Sequence, residues 1–405
     1  MEQIRTSSES RYNLSQVRVA ACILLALSAL SRAADPPEQV LRHAIEAHQA
    51  GRTAEAVRLY REFLAVHPEI AEIHSNLGAA LAKDGQYESA VKEYRLALPK
   101  LTNNPGLRLN LGLAYYKLGR PPLAAAEFEA VRAMQPDFGQ ATLLLADCYL
   151  QMGKNKQVIE LLAPLEQKGV KDSAIDYMLG TALLNDGQSE RAQSVLDRIL
   201  RKGDSAEAAL LLGASKYANH DNKAAADDLA RAIKLNPDLP GVHGLYALAL
   251  KESGDTDAAT EQFREELKRN PWDYVANIET SLILKQEGKL DDALAHLENA
   301  LRVRPNDAAA LYQRATVHGL QGVNDKARAE LEQLTKEYPN FTEAHVSLAT
   351  IYYRLKRKED GDRERATVRR LQEEEQKRLA DEQSGTKPDA GAAPAKDSGQ
   401  ALPKQ

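Results

Sequence analysis

The chain repeats itself every 34 residues, and a chain built that way stacks small units rather than wrapping one globular core. The clearest copy is 105–138, PGLRLNLGLAYYKLGRPPLAAAEFEAVRAMQPDF. With Pro105 as position 1, Gly112 holds position 8, Gly119 position 15, Ala124 position 20 and Pro136 position 32. One period back stand Gly78, Gly85 and Ala90, and before them Ala44, Gly51, Ala56 and Pro68. Going forward come Ala146 and Gly153, then Gly180, Gly187 and Ala192. One residue is then dropped and the register resumes with Gly213, Ala225 and Pro237. It continues through Ala247, Gly254, Ala259 and Pro271, then Ser281, Gly288, Ala293 and Pro305, then Ala315, Gly322, Ala327 and Pro339. A last copy carries Leu348, Ala349 and Tyr352. Ten copies therefore start near 37, 71, 105, 139, 173, 206, 240, 274, 308 and 342 and run to about 371.

Each copy reads as two helices folded back on each other. In 105–138, Leu111, Gly112 and Tyr115 share one face of the first helix, and Ala124, Phe128 and Val131 share one face of the second. Gly119 breaks the chain where φ > 0 is wanted. Pro121 and Pro122 suit the opening turn of the second helix, and Pro136 ends it. Position 8 is Gly, Ala or Ser in every copy and position 20 is Ala in eight of ten, so the two helices approach closely there. A lone hairpin cannot bury both faces, so neighbours are required. The fold class is all-α, a solenoid of about ten helical hairpins.

This register resembles the tetratricopeptide repeat, the 34-residue helix–turn–helix unit, over roughly four-fifths of the chain. Departures are local: His43, Tyr246, Thr280 and Arg314 replace the usual Leu at position 7, His220 and Lys356 replace the turn glycine, and Gly361 replaces the Ala of the last copy. The resemblance implies a right-handed solenoid that binds other polypeptides without catalysis, with the first helices lining a concave face through positions 2, 5, 9 and 12. Here those positions supply Leu109, Leu113 and Tyr116, then Leu143, Asp147 and Leu150, then Tyr177, Thr181 and Leu184, then Leu210, Ala214 and Tyr217. The expectation is an apolar groove anchored by tyrosines, which combine apolar area with a hydroxyl. Further along, Lys251 and Lys285 would offer cations to a charged ligand. Asn76 and Asn110 share position 6 of adjacent repeats, where related solenoids hold a peptide backbone; only these two rungs exist, since Leu144, Met178, Leu211 and Leu245 follow. The cations of a carboxylate clamp are missing, because Leu41, Gly106 and Asn110 stand in their places.

Outside the repeats, 1–33 reads as an export signal. Arg5, Arg11 and Arg18 precede an apolar run at 19–30, and Ser31 and Ala33 offer small residues for cleavage near Ala33. The run falls short of the ~20 residues that span a bilayer, so a cleaved signal is favoured over an anchor and no stable transmembrane anchor is expected. Localisation is then periplasmic or secreted. Without that segment, 49 basic and 56 acidic residues leave a net charge of about −7, which argues against nucleic acid as a partner. Cys148 alone remains, so no internal disulfide forms; it reads as a buried small hydrophobe. Residues 372–383 read as a charged helical extension capping the solenoid, and 384–405 as a disordered tail.

No Walker loop, GxGxxG, HExxH or CxxC occurs, and His43, His48, His67 and His74 include no i,i+4 pair. No catalytic residue, cofactor or metal is expected. The function expected is a protein-interaction scaffold gripping a protein or peptide along the concave face. Two alternatives stay open: a subunit of a bacterial envelope assembly, for secretion or outer-membrane biogenesis, and an accessory to a glycan-modifying enzyme. Self-association is also left open.

Overall fold

The computed structural model describes residues 36–170, 172–201 and 205–383. Residues 1–33 and 384–405, read above as signal and tail, lie outside them. Among the described residues there are twenty α-helices and no strands, arranged as ten consecutive hairpins. They fall into two compact units divided between Thr102 and Asn103.

The first unit holds α1 (Pro37–Gln49), α2 (Thr53–Leu64), α3 (Ala71–Lys83) and α4 (Tyr87–Ala97). The second holds eight hairpins: α5 (Pro105–Lys117) and α6 (Pro121–Met134), α7 (Gly139–Gln151) and α8 (Asn155–Gln167), α9 (Ser173–Asn185) and α10 (Ser189–Leu200), α11 (Ala206–Ala218) and α12 (Asn222–Leu235). Then follow α13 (Val242–Glu252) and α14 (Thr256–Arg269), α15 (Tyr274–Gln286) and α16 (Leu290–Val303), α17 (Ala308–Leu320) and α18 (Asn324–Glu337), α19 (Thr342–Arg354) and α20 (Lys358–Gln383).

The turn inside each hairpin needs a left-handed residue, and glycine supplies it eight times. His220 and Lys356 take the same conformation at φ 61° and 59°, so the position dictates the backbone even where glycine is absent. The fourth copy, with Val170 at position 32 in place of proline, ends differently. In α8 a proline lies inside the helix, at Pro164, and the chain leaves through Gly169 at φ 74°.

The close approach at position 8 has a definite partner. A Cβ on Gly112 would stand 2.6 Å from the Phe128 ring, one on Gly78 2.6 Å from Tyr94, and one on Gly213 2.6 Å from Leu229. In each case the partner is position 24, the large residue of the second helix. Tyr60, Tyr94, Phe128, Leu162, Leu196, Leu229, Phe263, Leu297 and Leu331 hold that position in the first nine hairpins, and all are buried. The small residue at 8 is thus a seat for the large one at 24, in addition to the contact at position 20.

A second recurring device joins hairpins in sequence. His345, at position 4 of its repeat, pairs through Nδ1 with Glu364 (2.6 Å) and donates from Nε2 to the Pro339 carbonyl (3.0 Å). His74 pairs likewise with Glu93 (2.7 Å) and donates to the Pro68 carbonyl (3.0 Å). His243 meets Gln262 (2.7 Å) and Pro237 (3.1 Å). Asn277 donates to Pro271 (2.9 Å) and accepts from His296 (2.9 Å). In these four copies position 4 therefore ties the proline that ended the previous hairpin to the second helix of its own. His345→Ala is expected to leave both acceptors unpaired and to destabilise α19 and α20 by about 1–3 kcal/mol. Amide hydrogen exchange should show faster opening confined to these two helices; unchanged protection there would refute it.

Helix α20 carries surface ion pairs, Arg370 with Glu374 (2.7 Å) and Arg378 with Glu375 (2.7 Å). It is polar nearly throughout and covers the end of the last hairpin, with Leu371 buried. Among the described residues no helix is long and apolar enough to cross a membrane.

Candidate functional site: the inner face of the second unit

First helices stack on first helices: α7 on α9, α9 on α11, α11 on α13, and α17 on α19. Two hydrogen bonds that skip a repeat each have one partner on a first helix. The Tyr177 hydroxyl donates to the Pro240 carbonyl at 3.3 Å, two hairpins on. Arg304 Nε donates to the Gln151 carbonyl at 2.9 Å, bridging 153 positions of sequence. Contacts of that reach place the first-helix side on the inside of the curve.

Leu109, Asn110, Leu113, Tyr116, Leu143, Leu150, Tyr177, Leu184 and Tyr217 all lie in this second unit and are half-buried. Asn76 is half-buried in the first unit, so the two rungs of the asparagine pair belong to separate bodies. Leu210, expected to face inward, is instead in the core. Tyr115 and Tyr352 are core residues, and their neighbours Tyr116 and Tyr353 are half-buried.

The inner face is more polar than its leucines imply. The Tyr116 hydroxyl donates to Asp147 at 2.5 Å, and the Gln151 side-chain amide donates to Asp147 (2.8 Å) and to the Tyr116 oxygen (3.1 Å). Burial pushes the Asp147 carboxyl above its ordinary range, against the pull of these two donors. It pushes the Tyr116 phenol up as well, with the Asp147 charge adding to the effect. Tyr177 and Tyr217 are raised chiefly by burial. The tyrosines are neutral donors in any physiological buffer.

The two lysines are not available as expected. Lys251 Nζ pairs with Glu279 of the next first helix at 2.7 Å, and Lys285 donates to Gln313 of the one after at 2.7 Å. Each tooth reaches 28 residues ahead, from position 12 to position 6 of the next repeat. Both lysines are spent on holding neighbouring hairpins together, so an ionic ligand has no ready partner in them.

The longest-range packing within the second unit was not read from the sequence at all. Trp272, the only tryptophan of the chain, sits between α14 and α15. Its indole lies against Gly119, where an added Cβ would stand 2.2 Å from its Cγ. Arg302 stacks over its ring at 4.5 Å, and Arg304 stacks over Tyr274 at 3.8 Å. Beside Arg304 lies Gly153, whose Cβ would meet the guanidinium at 3.3 Å. The available signal was the residue type: a lone indole in a connection between helices carries too much apolar area to be left uncovered.

Next to this cluster are a buried carboxylate, Glu266, and a half-buried one, Asp273. Glu266, 2% exposed, accepts from the Gly244 amide at 3.2 Å. Asp273 accepts from the Ala276 amide at 2.8 Å and caps α15. Burial, with the Asp273 charge second, raises Glu266 to about 7. Asp273 is also raised, by burial. Among the described residues no group of side chains could hold a metal ion, and Cys148 is a buried free thiol.

Two sequence models, each described as a tetratricopeptide repeat, match this chain, one at 41–106 and 177–240, the other at 115–177 and 284–351. Protein FlbA of Caulobacter vibrioides is 27% identical over 181 residues, which is 44% of this chain and 30% of that protein. A DnaJ homolog subfamily C member 7 homolog of Schizosaccharomyces pombe is 25% identical over 220 residues, 49% of this chain and 45% of that protein. The chain thus spans less than half the length of these curated relatives. Among solved structures, the Cut9–Hcn1 hetero-tetramer of the APC/C aligns at a TM-score of 0.42 and 11% identity, covering 86% of this chain and 95% of that one. A monomeric mutant of IFIT1 with Gppp-AAAA aligns at 0.44 and 15%, covering 83% and 90%.

Proposed function

Because the chain belongs to the tetratricopeptide repeat family of protein-interaction scaffolds, we propose that it is a non-enzymatic scaffold whose second unit binds an extended or helical polypeptide segment along its inner face. The observation that supports this reading is the file of half-buried apolar side chains at corresponding positions of successive first helices: Leu113, Leu143, Leu150 and Leu184, with Tyr177 and Tyr217. Preformed on rigid helices, such a face loses little conformational entropy on binding. With Lys251 and Lys285 already paired, the grip is apolar and survives high salt.

Photo-crosslinking in the source cell tests it. A photoreactive amino acid at Leu113, Leu150 or Leu184 should give adducts to the same partner that persist at high salt. The same probe at Glu129 or Lys156, on the second helices, should give none. Adducts only from the second-helix positions would overturn the reading and favour assembly through the outer face. We further propose export, on the basic residues Arg5, Arg11 and Arg18 followed by the apolar run at 19–30. N-terminal sequencing of the native protein should then begin near Ala34.

A further inference from the structure

Eight hairpins turn on a glycine at position 15, and their surroundings differ sharply. At Gly85, Gly187, Gly254, Gly288 and Gly322 an added Cβ would meet nothing within 4 Å, and at Gly51 only the tip of Lys83 at 3.7 Å. At Gly119 it would run into Trp272, and at Gly153 into Arg304. The two turns that are covered are neighbours, at the ends of α5 and α7. What covers them comes from the ends of α14 and α16, four hairpins further along.

The covering residues are held ready. The Trp272 backbone amide donates to Asn270 Oδ1 at 3.2 Å, which fixes the turn that carries the indole. Asn277, fully buried, donates to the carbonyls on both sides of Trp272, those of Pro271 (2.9 Å) and Asp273 (2.7 Å). Arg304 is laid flat on Tyr274 and aims its Nε at the Gln151 carbonyl. A charge-assisted hydrogen bond and an indole packed on glycine backbone are both specific to one arrangement of the two arms.

We propose that Trp272 and Arg304 form a clasp, closing the arm of α13–α16 against the turns at Gly119 and Gly153, and that the inner face between them admits a polypeptide only when this clasp opens. The gating half rests on the inner-face reading given above; the clasp itself does not. Closure of this kind is an equilibrium between two arrangements of packed elements, and a ligand that needs the open one shifts it by its preference for that state. A partner would bind slowly to the native protein and faster to one whose clasp is weakened.

The test uses the full-length chain. Thr181, half-buried at an inner position of α9, is replaced in Thr181→Cys as a probe of access. The native Cys148 is buried and its thiol is pushed up by burial, so it adds little background. Labelling with a long polyethylene-glycol maleimide is compared with labelling by N-ethylmaleimide, which passes narrow openings. Arg304→Ala should raise the long-reagent rate roughly tenfold or more, the effect of losing one hydrogen bond to a charged group. It should also make Trp272 fluorescence, the sole indole signal, more quenchable by acrylamide. Gly119→Asn is the second arm: asparagine tolerates the left-handed turn, but its side chain collides with the indole. Gly187→Asn is its control, at an identical turn with open space.

Circular dichroism checks that each variant keeps its helix content. The clasp is supported if Arg304→Ala and Gly119→Asn both open the face and Gly187→Asn does not. It is overturned if the folded variants keep native quenching and native long-reagent rates. If quenching rises while the long reagent still enters no faster, Trp272 is released without opening the face, and the gate is refuted. Crosslinking at Leu113 and Leu150 separately reports whether the face binds a partner at all.

Discussion

Phe128→Ala is expected to lower the unfolding free energy of the second unit by about 3–5 kcal/mol, the usual cost of emptying a fully buried aromatic site. Phe128 is 0% exposed and seats on Gly112 between α5 and α6. Rigid helices on both sides limit collapse into the space, which keeps the cost at the high end. A companion substitution tells seat from bystander. Gly112→Ala should by itself destabilise, because a Cβ 2.6 Å from the ring costs about 1–3 kcal/mol by overpacking while helix propensity returns only about 1. In the Phe128→Ala background the same change should stabilise, since the ring is gone and the propensity gain remains. Urea denaturation of the four proteins gives the cycle. A Gly112→Ala effect of the same sign in both backgrounds would show that positions 8 and 24 are not a coupled pair.

The second unit should lose stability as pH rises from about 4.5 to 8, as the Glu266 and Asp273 pair ionises. Its folded value of about 7 lies above the ordinary glutamate value of 4.5. A group raised on folding contributes fully below its unfolded value, and that contribution is lost as pH climbs through the folded one. Burial is the main cause, and Asp273 beside it adds repulsion once both are ionised, so the two titrate as a pair. Glu266→Gln keeps an acceptor for the Gly244 amide and removes the charge. Denaturation midpoints of this variant should vary less with pH and exceed the native values at pH 8. Parallel pH profiles for the two proteins would rule Glu266 out as the source.

Much of this architecture is written locally. Gly, Ala or Ser at position 8, the turn glycine at 15 and the proline at 32 recur because each hairpin solves the same packing problem, so repetition exposes them. Helix starts at Pro37, Ala71, Pro105, Gly139 and Ser173 coincide with the register. The half-buried inner positions follow from the same periodicity. Position 24 was visible as a core residue in Phe128 but not as the partner of position 8, because side-chain pairing between antiparallel helices depends on where they cross.

The inner face was legible only in outline, and for a physical reason. Whether Lys251 is free or paired depends on how far Glu279 swings toward it when one hairpin is rotated on the next. Whether Trp272 meets Gly119 depends on that rotation accumulated over four hairpins. No single repeat carries this information. Glycines 119 and 187 look alike in sequence, yet only one of them is covered.

The tie at position 4 bears on how such chains are cut and rejoined. Its acceptor is the carbonyl six residues upstream, at the proline that closed the preceding hairpin, and its other partner lies 19 residues downstream. The self-contained cassette is therefore not the helical hairpin. It runs from the proline at position 32 of one copy to position 31 of the next, overlapping two hairpins. Transplants cut at the start of a first helix would separate His243 from the Pro237 turn that orients it, or His345 from that of Pro339. Duplications or chimeras of these copies joined just before the proline would carry the whole tie with them.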